Sequence, residues 1–304
     1  MTTLRLGTRG SQLALWQAHY VQGRLQELGA QVEVVVISTK GDRILDRPLA
    51  LIGGKGLFVK EIEHALHEGD VDLAVHSLKD MPVDQPPGLM LSAFPVSASP
   101  FDAMCGREPM NSLAELREGA RIGTGSLRRG AQLKALRPDL EIVGIRGNVE
   151  TRLSRRFSPE PGLDAVVLAE AGLRRLGLWE PGFFALCPPD MLPAPAQGVL
   201  AIEVRESDAT TRALVDRLDD VGARLRVTAE RSCLAGIEGN CHTPFAVFAH
   251  TVGGEYVLHG RLFDDAGNAT EDVVGVPQAE ATLDVVTELG QTLAASLLGG
   301  LGPA

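Results

Sequence analysis

Apolar and polar positions along this chain repeat one construction. A short apolar strand leads into a loop of glycine, threonine and serine, then a basic residue, then a helix with apolar side chains at helical spacing. Residues 4–6 predict a strand, 7–11 the loop and 12–28 an amphipathic helix. The near-continuous apolar run at 32–38 predicts a buried parallel strand. Residues 61–67 read as a helix and 71–75 as a further apolar strand, followed by a loop at 76–82. The pattern then restarts: a strand ends at Ile122, 123–126 form the loop, and 127–136 form a helix closed by Pro138. A strand at 141–145, a loop at 146–148, a helix at 149–156, a strand at 165–168 and a helix at 170–176 follow. The stretch from Leu6 to Leu13 weakly echoes Ile122 to Ser126, so two α/β domains of similar topology are expected.

Residues 94–101, with Pro95 and Pro100, read as a crossing between those domains, and 188–195 as the return, with a strand at 199–204 rejoining the first. From about Val221 the character changes. A helix at 223–235 precedes alternating strands at 244–251 and 255–263, linked by Gly253 and Gly254. A turn at 264–268, a strand at 270–276 and a helix at 278–298 complete a small α+β domain. The expected boundaries are 1–95 with 199–216 for the first domain, 96–198 for the second and 220–304 for the third.

Composition adds less than charge. The 304 residues are 44% hydrophobic and 22% charged, which suits two to three ordinary globular domains. Only 4% are aromatic, so the cores must be aliphatic. A net charge of -10 argues against general binding of nucleic acid or anionic membrane. Yet residues 121–156 gather eight arginines and Lys134 against three acidic residues, Asp139, Glu141 and Glu150. The first strand follows with no basic and apolar leader pattern, and the apolar stretch at 283–301 carries Asp284 and Glu288, as an amphipathic helix would. Cys105, Cys187, Cys233 and Cys241 show no CxxC spacing, so free thiols in a cytoplasmic protein are expected.

Ligands of open α/β sheets bind outside the carboxyl ends of the strands. The predicted loops there carry Arg9 and Ser11, Lys79 and Asp80, Ser126 with Arg128 and Arg129, and Arg146. Arginine stays charged and grips carboxylates or phosphates with two parallel N–H groups, so many arginines in one cleft imply a ligand with many acidic groups. Taken singly, each reads equally as a solvated surface residue; Arg155 and Arg156 are assigned to the surface. Asp80 follows a buried strand and closes at Pro82, where a carboxylate can stabilise a cation or move a proton, or simply form a turn. Residues 53–56 (GGKG) lack the full Walker pattern and fit a mobile lid or an ordinary loop. Cys241, beside His242, reads as a nucleophile or as an incidental thiol, and no zinc spacing is present.

The motifs HSLKDMP at 76–82, GTGSLRR at 123–129, RGNVETR at 146–152 and EGNCHTP at 238–244 together resemble the porphobilinogen deaminase (hydroxymethylbilane synthase) family. The segments GGKGLF at 53–58 and TRGSQLALW at 8–16 fit the same family. Each motif is weak alone, but they run in the family's order from Arg5 to beyond Pro244. The resemblance implies a fold of two similar periplasmic-binding-protein-like (type II) α/β domains plus a small C-terminal α+β domain. It implies a transferase of tetrapyrrole (haem or chlorophyll type) biosynthesis that condenses four porphobilinogen molecules, with loss of ammonia, into hydroxymethylbilane.

Site roles follow residue by residue from the same resemblance. A dipyrromethane cofactor is attached by thioether to Cys241 and held by Ser77, Lys79, Ser126, Arg128 and Arg129. Arg9, Ser11, Arg146, Arg152 and Arg175 bind substrate, Asp80 stabilises the cation left when ammonia departs, and residues 42–58 with Lys55 form a lid. No metal is implied. A monomer that hands its product to uroporphyrinogen-III synthase is expected. Gly125 stands where the family usually carries serine, and Asn240 replaces a common glycine. A non-catalytic anion receptor of the periplasmic-binding type also accounts for the arginines, but it needs neither Asp80, Cys241 nor the third domain.

Overall fold

The computed structural model describes residues 3–39, 59–160, 162–239 and 243–301. Contacts divide the chain into two compact units. One comprises residues 1–98 and 198–224, the other 99–197 and 225–304.

The first unit is built on a five-stranded sheet. Its strands are β1 (Leu4–Thr8), β2 (Val32–Val36), β3 (Leu73–Ser77), β4 (Leu89–Ala93) and, after a long excursion, β10 (Leu200–Arg205), in the order β2-β1-β3-β10-β4. β1, β2 and β3 are parallel, while β10 runs antiparallel to both neighbours. Helix α1 (Gln12–Glu27) starts at the Ser11 cap and buries Gln17, Ala18, Val21 and Leu25, a one-face pattern. That stripe packs on Leu6, Leu73, Val75, Ile202 and Val204. The opposite face of the sheet, through Ala74 and Leu89, is covered by Ile62 and Leu66 of α2 (Lys60–His67). Helix α6 (Ala209–Val215) follows β10, capped by Asp208.

The second unit repeats the plan. Its sheet holds β5 (Asp102–Gly106), β6 (Arg121–Gly123), β7 (Glu141–Val143), β8 (Ala165–Ala169) and β9 (Phe184–Leu186), in the order β7-β6-β8-β5-β9. Again three strands are parallel and one, β5, is antiparallel to both neighbours. Counting from β6, both sheets follow one topology, with the antiparallel strand in the fourth place. Helices α3 (Leu127–Leu136), α4 (Val149–Ser154) and α5 (Glu170–Arg175) follow β6, β7 and β8. The same unit holds the antiparallel meander β11 (Phe245–Val252), β12 (Glu255–Phe263) and β13 (Ala269–Pro277). Both glycines of the β11–β12 turn have positive φ, 60° and 85°, as that two-residue turn requires. Helices α7 (Val221–Gly236) and α8 (Leu283–Gly300) pack with this sheet around Phe245, Leu258, Val286 and Leu293.

Several expectations are corrected. The run at 32–38 forms an edge strand rather than a buried one: among the described residues β2 pairs only with β1, and Val36 is 57% exposed. The strand expected at 71–75 lies two residues later, because β10 pairs with β3 through His76 and Ser77. The helix expected at 149–156 ends at Ser154 in a tighter turn, and the final helix begins at the Thr282 cap rather than at Gln278. β4, β5, β9 and α6 lacked a sequence signal, since the three strands are short and carry no alternation.

Helices α7 and α8 cross closely. A Cβ on Gly290 would meet the Ala229 carbonyl oxygen at 2.5 Å and the Cys233 nitrogen at 2.8 Å, and one on Gly236 would meet Ala294 at 2.6 Å. Backbone cannot yield there as a flexible side chain would. Gly290→Ala is therefore expected to destabilise the protein by about 1–3 kcal/mol in urea unfolding, whereas Gly299→Ala, with open space around it, changes little.

Candidate active site

In the first unit the candidate residues stand at the carboxyl ends of two neighbouring parallel strands. β1 ends at Thr8, whose hydroxyl donates to the Ala14 carbonyl at 3.2 Å and pins the loop. Arg9 follows, half-buried, and Ser11 caps α1 by accepting from the Ala14 amide at 3.3 Å. At the end of β3, the Ser77 hydroxyl accepts from Gln17 Nε2 of α1 at 2.8 Å. Leu78 is fully buried and its amide donates to the Val199 carbonyl at 3.0 Å. That anchor starts a single 3₁₀ turn (Leu78–Asp80), which leaves Lys79 half-buried and Asp80 exposed.

In the second unit the matching loop follows β6. Ser126 caps α3, its hydroxyl facing the Arg129 amide at 3.5 Å, as Ser11 does for α1. A Cβ on Gly125 would stand 2.8 Å from the Ile145 carbonyl oxygen, so a serine there would require the backbone to shift. Arg146 follows β7. Gly147 has φ +115°, and Asn148 caps α4 by accepting from the Thr151 amide at 2.8 Å. Arg146 Nη1 is buried and has no hydrogen-bond acceptor among the described residues. Arg152 lies on α4, half-buried, and Arg175 is the last residue of α5.

Arg128 and Arg129 do not project freely from their loop. Both are buried, at 4% and 5% exposure, and both face Asp102. Arg128 Nη2 lies 2.7 Å from one Asp102 oxygen and its Nη1 donates to the Leu192 carbonyl at 2.6 Å. Arg129 donates from Nε and Nη2 to the other oxygen at 2.9 and 2.7 Å, and from Nη1 to the Val167 carbonyl at 3.0 Å. Gln197 Nε2 completes the cage on Asp102 at 2.9 Å. Asp102 was invisible to sequence reasoning, since it sits in an apolar run and its partners lie 26 and 27 positions further on. Burial alone would raise its carboxyl, but the charges of Arg128 and Arg129 with the hydrogen bonds from Arg129 and Gln197 hold it well below the usual range.

Arg156, expected on the surface, is 4% exposed; its Nη2 donates to Glu180 at 2.6 Å and its guanidinium lies over Phe157 and Phe183. Stacking on two rings shelters it from water. Arg155 is exposed as expected. Cys241 and Lys55 lie outside the described residues. Among the described residues no helix is long and apolar enough to cross a membrane.

Two mixed α/β sheets of one topology, with basic and acidic side chains at their strand ends, and an added α+β element define the class of fold. The dipyromethane cofactor binding domain of porphobilinogen deaminase matches residues 4–213, and that enzyme's C-terminal domain matches residues 224–299. The porphobilinogen deaminase of Syntrophotalea carbinolica is 47% identical over 297 residues, covering 97% of this chain and 93% of the relative. That of Stenotrophomonas maltophilia strain K279a is 46% identical over 300 residues, covering 98% and 97%. A periplasmic substrate-binding protein of an ABC transporter from Coxiella burnetii aligns at 17% identity with a TM-score of 0.43, covering 72% of this chain and 93% of its own. The chain belongs to the porphobilinogen deaminase family.

Breaking a buried ion pair leaves uncompensated charge. Asp102→Ala is expected to cost about 3–5 kcal/mol in chemical unfolding, because two buried guanidiniums lose their carboxylate. The depressed Asp102 carboxyl contributes stability that is complete above the ordinary carboxylate range, near pH 4, and lost as pH falls toward the folded value. A melting-temperature series below pH 4 is therefore expected to fall more steeply for the wild type than for Asp102→Asn.

Proposed function

We propose that this chain joins four porphobilinogen molecules head to tail, with loss of ammonia at each addition, and releases hydroxymethylbilane to water. Beyond the family match, one observation carries the assignment of residues. Arg9 and Ser11, Ser77 to Asp80, Ser126, and Arg146 all stand at or just beyond the carboxyl ends of parallel strands, in two sheets of one topology. Those ends are where open α/β sheets receive ligands.

A dipyrromethane cofactor, joined by thioether to Cys241, supplies when bound the first pyrrole positions on which the product is built. The residues present suit such a group. It carries carboxylates, and the loop at the amino end of α3 offers them a capping serine beside two buried guanidiniums. Ser77, Lys79 and Ser126 serve as its polar contacts. Arg128 and Arg129 act through charge: two guanidiniums against one carboxylate leave a net positive site at the amino end of α3, which favours an anion there. Arg9, Ser11, Arg146, Arg152 and Arg175 take the acetate and propionate groups of incoming substrate. Residues 42–58, with Lys55, close over it.

Asp80 accepts hydrogen bonds from pyrrole N–H of the substrate. When the C–N bond breaks, the electron pair leaves with ammonia and positive charge spreads over the ring. A fixed carboxylate at that ring stabilises the charge as it develops. The new C–C bond forms at the expense of a proton on the receiving α-carbon, and Asp80, exposed at the end of its turn, takes it. The protein works in the cytoplasm as a monomer and delivers product to uroporphyrinogen-III synthase. The unpaired thiols of Cys105, Cys187 and Cys233 support a reducing compartment.

Two measurements test this. Asp80→Ala is expected to retain porphobilinogen-derived mass on the protein while turnover drops at least about 100-fold, in the range for a group acting on the transition state; near-normal turnover would remove Asp80 from the chemistry. Intact-protein mass is expected to exceed the sequence mass by two pyrrole units, and Cys241→Ser to abolish that excess. An unmodified, fully active wild type would contradict the cofactor assignment.

A further inference from the structure

The turn that carries Lys79 and Asp80 is the direct continuation of β3, so its placement depends on what holds the last residues of that strand. His76 and Glu203 do so from one side. His76 Nε2 lies 2.9 Å from Glu203 Oε2, and their side chains are 5% and 0% exposed. In the β3–β10 register His76 stands opposite Ala201 and Glu203 opposite Ala74, so the pair spans one face of the sheet diagonally. It is the face covered by α2, whose Glu63 carboxyl is raised by burial and by the nearby Glu203 charge. On the other face Ser77 is held by Gln17 of α1.

A carboxylate with no exposure gains nothing from water, and its cost is offset only by partners. Among the described residues His76 is the one hydrogen-bond donor to Glu203, whose Oε1 has none. Replacing both residues with apolar ones therefore need not destabilise the fold. An apolar core would hold β3 and β10 equally well. What it would lack is a fixed orientation at the strand end, four residues before Asp80.

We propose that His76 and Glu203 are positioning residues for the reaction: their buried hydrogen bond fixes the end of β3 and thereby aims Lys79 and Asp80 at the substrate. The inference rests on the catalytic reading of Asp80. Small misplacements of a reacting group cost rate more than binding. His76→Leu/Glu203→Leu is expected to keep its melting temperature within a few degrees and its KM for porphobilinogen within about twofold, while kcat falls about tenfold or more. His76→Gln, whose amide can donate from nearly the same point, is expected to stay within about threefold of wild-type kcat. Intact mass should show both variants loaded with cofactor, and hydrogen exchange at residues 77–81 should quicken only in the double variant.

A double variant with kcat within twofold of wild type overturns the proposal, as does a change confined to KM. Should that variant not fold, Glu203→Asp decides, because shortening the acid by one methylene breaks the bond in a volume that still packs. Equal kcat in Glu203→Asp and His76→Gln then overturns it. Asp80→Ala in the same assay separates the two readings. Its normal turnover defeats the role of Asp80 itself, while its loss beside an unaffected double variant defeats only the positioning claim.

Discussion

Two guanidiniums buried side by side repel each other. In this protein one buried carboxylate resolves that conflict. Asp102 lies between Arg128 and Arg129, with Gln197 as a further donor. It ties together the start of β5, the first turn of α3, the β8 carbonyl of Val167 and the Leu192 carbonyl. The cage still carries one net positive charge after the pairing. Structure and electrostatics thus come from the same atoms: the fold gains a cross-braced second sheet, and the helix cap at Ser126 gains a field that suits an anion.

The cage also extends beyond its own sheet. Gln197 is held at its carbonyl by Arg226, and Arg226 pairs with Glu230 of α7. Glu230, fully buried, accepts from the amides of Ala196 and Ala249 at 2.6 and 3.1 Å. Ala196 has φ +58°, a conformation that costs a non-glycine residue energy, and the bond to Glu230 helps maintain it. Helix α7 leads directly toward the segment that carries Cys241. A buried polar path therefore runs, within one unit, from α7 to the arginines beside Ser126.

How much of this was legible beforehand depends on whether the signal was local. The loop-to-helix junctions at Ser11 and Ser126 were readable, because strand, glycine loop and helix follow one another in sequence, whereas the capping by each serine came from the fold; the echo between residues 6–13 and 122–126 does correspond to two sheets of one topology. The strand rejoining the first sheet near 199–204 was likewise found at Leu200–Arg205. What failed was non-local. An edge strand and a buried strand share an apolar run, so β2 was misread, and the end of β3 was set by pairing with β10, far along the chain. Arg156 looked like any exposed arginine until Phe183 and Glu180 were brought against it. Arg128 and Arg129 were recognised as important, but their commitment to Asp102 needed the fold. The assignments at Cys241 and Asp80 came from the family resemblance, since position alone left both open.

The central claim is that these strand-end residues carry out a condensation rather than hold an anion. Counting ammonia against product tests it most directly. Purified protein supplied with porphobilinogen alone is expected to release four ammonia molecules for each hydroxymethylbilane formed. Binding of porphobilinogen without ammonia release would contradict the account and leave an anion receptor in its place.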